Sequence, residues 1–148
     1  MGFYTSIEVS ATGLSAERLA MDTIANNIAN VNTTRTAEGG PFKRQLVVYA
    51  QKNEPAPQTA GALDAADPAR SRAGVEVVGI VKDQGPDRLI YDPTHPDADG
   101  NGYVHMPNID IVKEMVDMMA ASRAYEANVT AIQEARAMGT ATLGLLKA

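Results

Sequence analysis

Between Ile111 and Leu146 an alternating step of three and four residues lands on Ile111, Met115, Met118, Ser122, Tyr125, Val129, Ile132, Arg136, Gly139, Leu143 and Leu146, and most of these are apolar. The step never slips. A strand period of two cannot produce it, whereas a helix brings all these positions onto one narrow stripe. The run is longer than most helices of globular proteins. Pro107-Asn108 opens it, with Asn108 a good cap and Asp110 well placed in the first turn, where the helix end is positive. A narrow seam on so long a helix has to be covered, so a second helix must come from this chain or from another.

The other end of the chain has a matching pattern. From Thr5 to Val31 the same step gives Ile7, Ser10, Leu14, Glu17, Met21, Ile24, Ile28 and Val31. Thr5 with Glu8 makes a possible capping box. Gly13 weakens this helix locally, by about 1 kcal/mol relative to Ala. Asn30 and Asn32 end the pattern, because Asn tolerates the left-handed conformation of a helix C-cap.

The segment between is of another kind. Phe42–Gln51 and Gly74–Lys82 are rich in Val, Ile and Tyr and read as strands, and Arg88–Tyr91 and Gly102–His105 are shorter candidates. Asn53–Ala73, with Pro55, Pro57, Pro68 and much Ala, reads as a mobile loop that cannot build a core. The expected fold is therefore mainly α with a small β-rich insertion. Its domains are residues 1–33 and 108–148, the two helices of a paired core, and 34–107, the β-rich middle with its loop 53–73.

Composition narrows the function. The 148 residues hold no cysteine, which excludes disulfides, iron–sulfur clusters, zinc–thiolate sites and thiol catalysis. A net charge of −5 without a dense basic patch argues against nucleic acid. No stretch approaches the length of a transmembrane helix. Met1-Gly2-Phe3-Tyr4-Thr5-Ser6 lacks the basic and apolar regions of a cleaved secretory signal.

Chemical motifs are few. Asp97-Ala98-Asp99-Gly100-Asn101-Gly102-Tyr103-Val104 matches the first half of a calcium loop, but the twelfth position, which needs a bidentate Glu, is Asn108. The stretch reads instead as a turn feeding a strand, with Asn101-Gly102 supplying the positive φ angles. His95 and His105 match no zinc spacing and read as turn-surface residues. There is no nucleophile elbow, no P-loop and no dinucleotide fingerprint, so no catalytic set can be assembled and no cofactor or metal is expected.

Asn26, Asn27, Asn30 and Asn32 are costly in a helix, since Asn prefers to bond its own backbone elsewhere. With Ile24, Ile28 and Val31 keeping the seam apolar around them, they read as polar groups that fix register. The first helix carries only Glu8, Glu17, Arg18 and Asp22 as charges. The last has Ala120, Ala121, Ala124, Ala127, Ala131, Ala135 and Ala137 beside its seam. A helix that faced water would show a charged back, so both helices read as touching more than one neighbour.

These residues carry a resemblance. Ala11-Thr12-Gly13-Leu14-Ser15-Ala16, followed by Ala25-Asn26-Asn27-Ile28-Ala29-Asn30-Val31-Asn32-Thr33, resembles the N-terminal signature of the bacterial flagellar rod and hook axial proteins. Asp92-Pro93 with His95-Pro96-Asp97-Ala98-Asp99, Gly102-Tyr103-Val104 and Pro107-Asn108 is similar to the proximal-rod branch of that family, as is Glu114-Met115 with Ala121-Ser122-Arg123-Ala124-Tyr125-Glu126-Ala127-Asn128. The resemblance implies a non-enzymatic subunit of the basal-body rod that transmits torque from the inner-membrane ring toward the distal rod and hook. Its terminal helices would pair as a coiled coil, with the β-rich middle outside. Its partners would be proximal and distal rod subunits, copies of itself, and the inner-membrane MS ring with its rod adaptor. It would be exported by the flagellar type III apparatus to the periplasmic rod, without signal cleavage.

On this reading the assembly interface comprises Leu14, Met21, Ile24, Asn27, Ile28, Asn30 and Val31 on the first helix. On the last it comprises Met115, Met118, Tyr125, Asn128, Val129, Ile132, Leu143 and Leu146. Two other readings fit the periodicity or the motif: a soluble helical-hairpin adaptor that docks a partner helix, and a calcium-dependent surface protein using the Asp97 loop.

Overall fold

The computed structural model describes residues 3–54 and 72–145, with side chains from 6 to 52 and from 74 to 144. The elements run α1 (Phe3–Ala29), β1 (Gln45–Glu54), β2 (Arg72–Lys82), β3 (Arg88–Tyr91), β4 (Tyr103–Met106) and α2 (Ile111–Leu145). The fold is thus mainly helical with a small β insertion, as the two periods require. The expected loop 53–73 falls almost wholly outside the described residues, as do Leu146 and the side chain of Thr5.

Two caps differ from expectation. Helix α1 does not end on a left-handed Asn: among the described residues no non-glycine has a positive φ. Its last turn tightens instead, with the Asn30 N–H shared between the carbonyls of Asn26 and Asn27 at 3.1 and 3.2 Å, and the Val31 N–H on Ile28 at 3.3 Å. Helix α2 is capped by Asp110 rather than Asn108, since Asp110 Oδ1 accepts the Val112 N–H at 2.9 Å. A carboxylate there also meets the positive helix end. Asn108 is drawn away because its side chain serves the Arg44 N–H, at 3.4 Å.

Strands β1 and β2 form one two-stranded sheet, and β3 and β4 form another. The second is antiparallel, with Arg88 opposite Met106, Leu89 opposite His105, Ile90 opposite Val104 and Tyr91 opposite Tyr103. The period of two puts Val104, which is buried, on one face and Leu89, Tyr91, Tyr103 and His105, all exposed, on the other. Tyr91 and Tyr103 meet edge to face, their rings 5.2 Å apart. Only Gly102 of the Asn101-Gly102 pair takes a positive φ, 82°. A side chain at Gly102 would also crowd Tyr91 and Pro93, so this position excludes other residues twice over.

The chain divides into two compact units, each taking part of both helices. Unit 1 contains residues 1–18, 49–78 and 122–148; unit 2 contains 19–48 and 79–121. Among the described residues, the buried positions of unit 1 are Ala16 and Ala135. Those of unit 2 are Ala20, Thr23, Asn27, Val104, Pro107, Ile109, Glu114 and Ala121. On both helices, small or polar residues line the inside. Gly13, Ala20 and Asn27 recur every seven residues on α1, and Glu114, Ala121, Asn128 and Ala135 do so on α2. The heptad period is the one read from the sequence; the phase of the deepest burial is displaced from the large apolar stripe. Small side chains let two helix backbones approach closely, which is why they occupy the inner column.

Candidate assembly interface

Helix α1 meets a strand and helix α2 at one joint in each unit. In unit 2 the joint centres on Asn27, 1% exposed, and Glu114, 0% exposed. The Asn27 amide donates to the Gln45 carbonyl at 2.9 Å and to Glu114 Oε2 at 3.0 Å, and its Oδ1 accepts the Gln45 N–H at 2.9 Å. One side chain thereby satisfies the first residue of β1 and touches α2. Glu114 Oε1 accepts from Arg44 Nε at 2.5 Å, and Arg44 Nη2 reaches Asp117 Oδ2 at 3.1 Å. Both carboxylate oxygens of Glu114 are therefore occupied, as a buried charge requires. Asn26 adds a bond to the Gln45 side chain at 3.2 Å, and Asn30 bonds back onto Asn26.

In unit 1 the corresponding joint is built from neutral groups. Thr12 Oγ1 donates to the Val9 carbonyl at 2.7 Å and accepts the Val75 N–H at 3.1 Å, which ties β2 to α1. Gly13 lies under Asn128: a Cβ at Gly13 would stand 3.0 Å from Asn128 Nδ2. That amide donates to the Ala124 carbonyl at 3.0 Å, which folds it back along its own helix. Thr12-Gly13 and Asn26-Asn27 are two heptads apart, as are Asn128 and Glu114.

The positions read from the stripe are placed as follows. Asn27 is buried; Leu14, Met21, Ile24 and Ile28 on α1, and Asn30 and Val31 in the turn after it, are half-buried. Met118, Tyr125, Asn128, Val129 and Ile132 are half-buried on α2, while Met115 and Leu143 are exposed. Around Met115, which is 55% exposed, Ile111, Val112, Val116 and Met119 are exposed as well. The large apolar residues of the first turns of α2 thus face away from the packed interior of their own unit.

The acidic turn is occupied by its own backbone. Asp99 Oδ1 accepts the N–H groups of Asn101 and Tyr103 at 2.8 and 2.9 Å, and Asp92 Oδ1 accepts the Thr94 N–H and hydroxyl at 3.1 and 2.7 Å. The Tyr103 N–H above all holds the Asp99 carboxyl below its ordinary range, and the Thr94 hydroxyl does the same for Asp92. Asp97 turns toward Thr34, at 2.8 Å, and Arg35. The three carboxylates thus point at different partners rather than at one centre. His95 Nδ1 accepts the Asp97 N–H at 3.1 Å, and His105 lies 3.8 Å from Asp87, which Lys43 also pairs. Among the described residues no group of three His, Cys, Asp or Glu could hold a metal.

Sequence reasoning held Thr12-Gly13 and Glu114 within the family signature but did not join Arg44, Gln45, Glu114 and Asp117 as a set, nor Thr12 with Val75. Arg44 and Glu114 are far apart in the chain, and no spacing rule joins them. The available signal was the second heptad column, in which Gly13, Ala20 and Asn27 match Glu114, Ala121 and Asn128 in period.

Comparison with known proteins reaches both helices. Residues 7–35 match the family model "Flagella basal body rod protein", and residues 101–145 match "Flagellar basal body rod FlgEFG protein C-terminal". Over 99% of both chains the sequence is 47% identical to the flagellar basal-body rod protein FlgC of Borreliella burgdorferi. It is 40% identical to that of Bacillus subtilis, over 93% of this chain and 94% of the relative. To that of Salmonella typhimurium it is 34% identical, over 98% of each.

Proposed function

The chain belongs to the FlgC family of flagellar basal-body rod proteins, and from that membership we propose that it is a structural subunit of the bacterial flagellar rod. It works by packing rather than by catalysis. The observation that carries this reading is the inverted helix surface. Small residues pack inside, while Ile111, Val112, Met115, Val116 and Met119 stand open on α2. Apolar area removed from water is worth about 25 cal/mol per Å², so a face of this kind is a source of association energy that the lone subunit leaves unused. Repetition between neighbours makes the sum large enough to carry torque.

In this proposal the faces meet copies of the chain and other proximal and distal rod subunits, and at the base the inner-membrane ring with its rod adaptor. The protein resides in the periplasmic rod, after export through the flagellar type III apparatus without signal cleavage. The interface comprises the stripe positions Leu14 to Val31 and Met115 to Leu146, with Asn27, Asn30 and Asn128 holding register. No described helix is long and apolar enough to cross a membrane.

The test is Met115→Asp, with Val129→Asp and Ile28→Asp beside it. An exposed site tolerates substitution within about 0.5 kcal/mol, so the Met115→Asp monomer keeps its melting temperature. It fails to enter rods, and the cells lose motility. Glu134→Ala, an exposed change off the stripe, assembles normally. Cells carrying Met115→Asp and Val129→Asp that swim like the parent overturn the interface. A monomer that captures a partner helix but never enters rods marks the adaptor instead.

A further inference from the structure

The chain contains one Asn-Gly pair, Asn101-Gly102, and places it in the turn between β3 and β4. Asn followed by Gly is the dipeptide most prone to lose ammonia, because no Cβ shields the following amide nitrogen. In that reaction the Gly102 nitrogen, stripped of its proton, attacks the side-chain carbonyl carbon of Asn101. A new C–N bond closes a five-membered succinimide, the amide C–N bond breaks, and ammonia leaves with the displaced proton. Water then opens the ring to aspartate or isoaspartate. No oxidant or cofactor is involved.

The turn cannot escape this hazard by replacing Gly102. Its φ of 82° favours glycine, and an added Cβ would lie 3.0 Å from Tyr91 Cε2 and 3.2 Å from Pro93 Cβ. Asn101 itself is exposed. What the fold does instead is occupy the nucleophile. The Gly102 N–H donates to the Asp99 carbonyl at 3.0 Å, while the Asp99 side chain clamps the N–H groups of Asn101 and Tyr103 on either side. Rotating Gly102 N toward the Asn101 side chain breaks the first of these bonds and strains the other two. The Asp99 carboxylate, held ionised by its N–H partners, also opposes the negative charge that develops on the attacking nitrogen.

We propose that Asn101 is a spontaneous deamidation site gated by Asp99: closed while the β3–β4 hairpin is folded, open when the hairpin opens. Opening has a lasting consequence. Isoaspartate adds a backbone methylene beside Gly102, and either product adds a negative charge next to Asp97 and Asp99. Both act against the register of Tyr91 with Tyr103 that seats the buried Val104.

The full-length protein is incubated at mildly alkaline pH, folded and in urea. Peptides spanning residue 101 are followed by mass and by isoaspartate content. The expected result is conversion many-fold slower in the folded chain than in urea. Asp99→Ala in buffer falls between the two, and Asn101→Gln shows far slower deamidation at residue 101 in every condition; isoaspartate formed at Asp99-Gly100 in the same peptide is assigned separately by fragment mass. Circular dichroism of Asp99→Ala separates loss of the clamp from loss of the fold. If that variant unfolds, the folded-to-urea ratio of the parent chain remains the deciding measurement. Equal rates in the folded and urea samples of the parent, or a folded Asp99→Ala no faster than the parent, overturn the proposal.

Discussion

Unit 2 fastens α1 to its neighbours with a charged group shielded from water, and unit 1 does the same task with a hydroxyl, a missing side chain and a half-buried amide. The two joints are two heptads apart on the same helix, so backbone geometry is not what separates them. In unit 2 Glu114 has both oxygens committed, to Arg44 and Asn27. In unit 1 Thr12 offers one oxygen to Val75, and Asn128 bonds its own helix while lying over Gly13. A buried ion pair is a weak source of net stability, because desolvation offsets attraction, yet breaking it strands a charge. We read the pair accordingly as a register device. Sliding α2 by one turn would leave Glu114 without donors, whereas the neutral joint meets no such penalty.

The largest break of this comparison is Glu114→Ala. It leaves the Arg44 guanidinium, already mostly shielded, with Asp117 as its one carboxylate among the described residues, and frees one Asn27 donor. Removing one partner of a buried pair costs about 3–5 kcal/mol. The expected outcome is a large drop in the urea midpoint of the purified protein. The double variant Glu114→Ala with Arg44→Met should recover part of the loss, since an apolar pair strands no charge. A single variant with an unchanged midpoint would show that the knot does not hold unit 2.

How much of this was legible follows from which forces are local. Helix lengths, the short strands β3 and β4 and the turn before β4 were readable because period and turn chemistry are local properties; the pairing of the two strands was not among the readings. Phase was not. A stripe of Ile, Met and Val marks a face that avoids water, but it does not say whether the cover is α1 or another molecule. Here the closest approach selects small residues, so Ala20, Ala121 and Ala135 are more buried than Met115 or Leu143. The cap at Asp110 was misread because Asn108 has a tertiary competitor, the Arg44 N–H, that no local rule anticipates. Asn27 was legible as a polar group beside the seam, yet its partners Gln45 and Glu114 come from distant parts of the chain. A carboxylate beside an apolar stripe ordinarily reads as solvent-facing.

A middle-sized change sharpens the contrast from the other side. Gly13→Ala improves helix propensity by about 1 kcal/mol but sets a methyl 3.0 Å from Asn128 Nδ2. That amide is the end of a side chain and can move, so the net change should stay within about 1 kcal/mol. Gly13→Val adds branching against the same amide, and overpacking of this kind costs about 1–3 kcal/mol. Thermal melts of the two variants distinguish the cases. If Gly13→Ala is as damaging as Glu114→Ala, the joint of unit 1 is as rigid as that of unit 2, and the comparison fails.

The smallest effect is one of pH, and the two units should feel opposite ends of the scale. In unit 2 the folded turn holds Asp99 and Asp92 below the ordinary carboxylate value of 3.8. A depressed folded pKa means stabilisation that is present above the unfolded pKa and lost as pH falls through the folded one. Acid therefore loosens the β3–β4 turn, in a window below about pH 4. In unit 1 Tyr49 is raised above 10.0, first by burial and then by the Glu17 carboxylate, both of which disfavour phenolate. A raised folded pKa means stabilisation that is complete below the unfolded value and lost as pH rises through the folded one. Alkali therefore acts on unit 1, above about pH 10. Carboxyl resonances of Asp92 and Asp99 should titrate low. An ultraviolet titration should lose a late-ionising component in Tyr49→Phe, and Glu17→Gln should bring that component earlier. If Glu17→Gln leaves the curve unchanged, burial alone sets the Tyr49 shift and the carboxylate has no part in it.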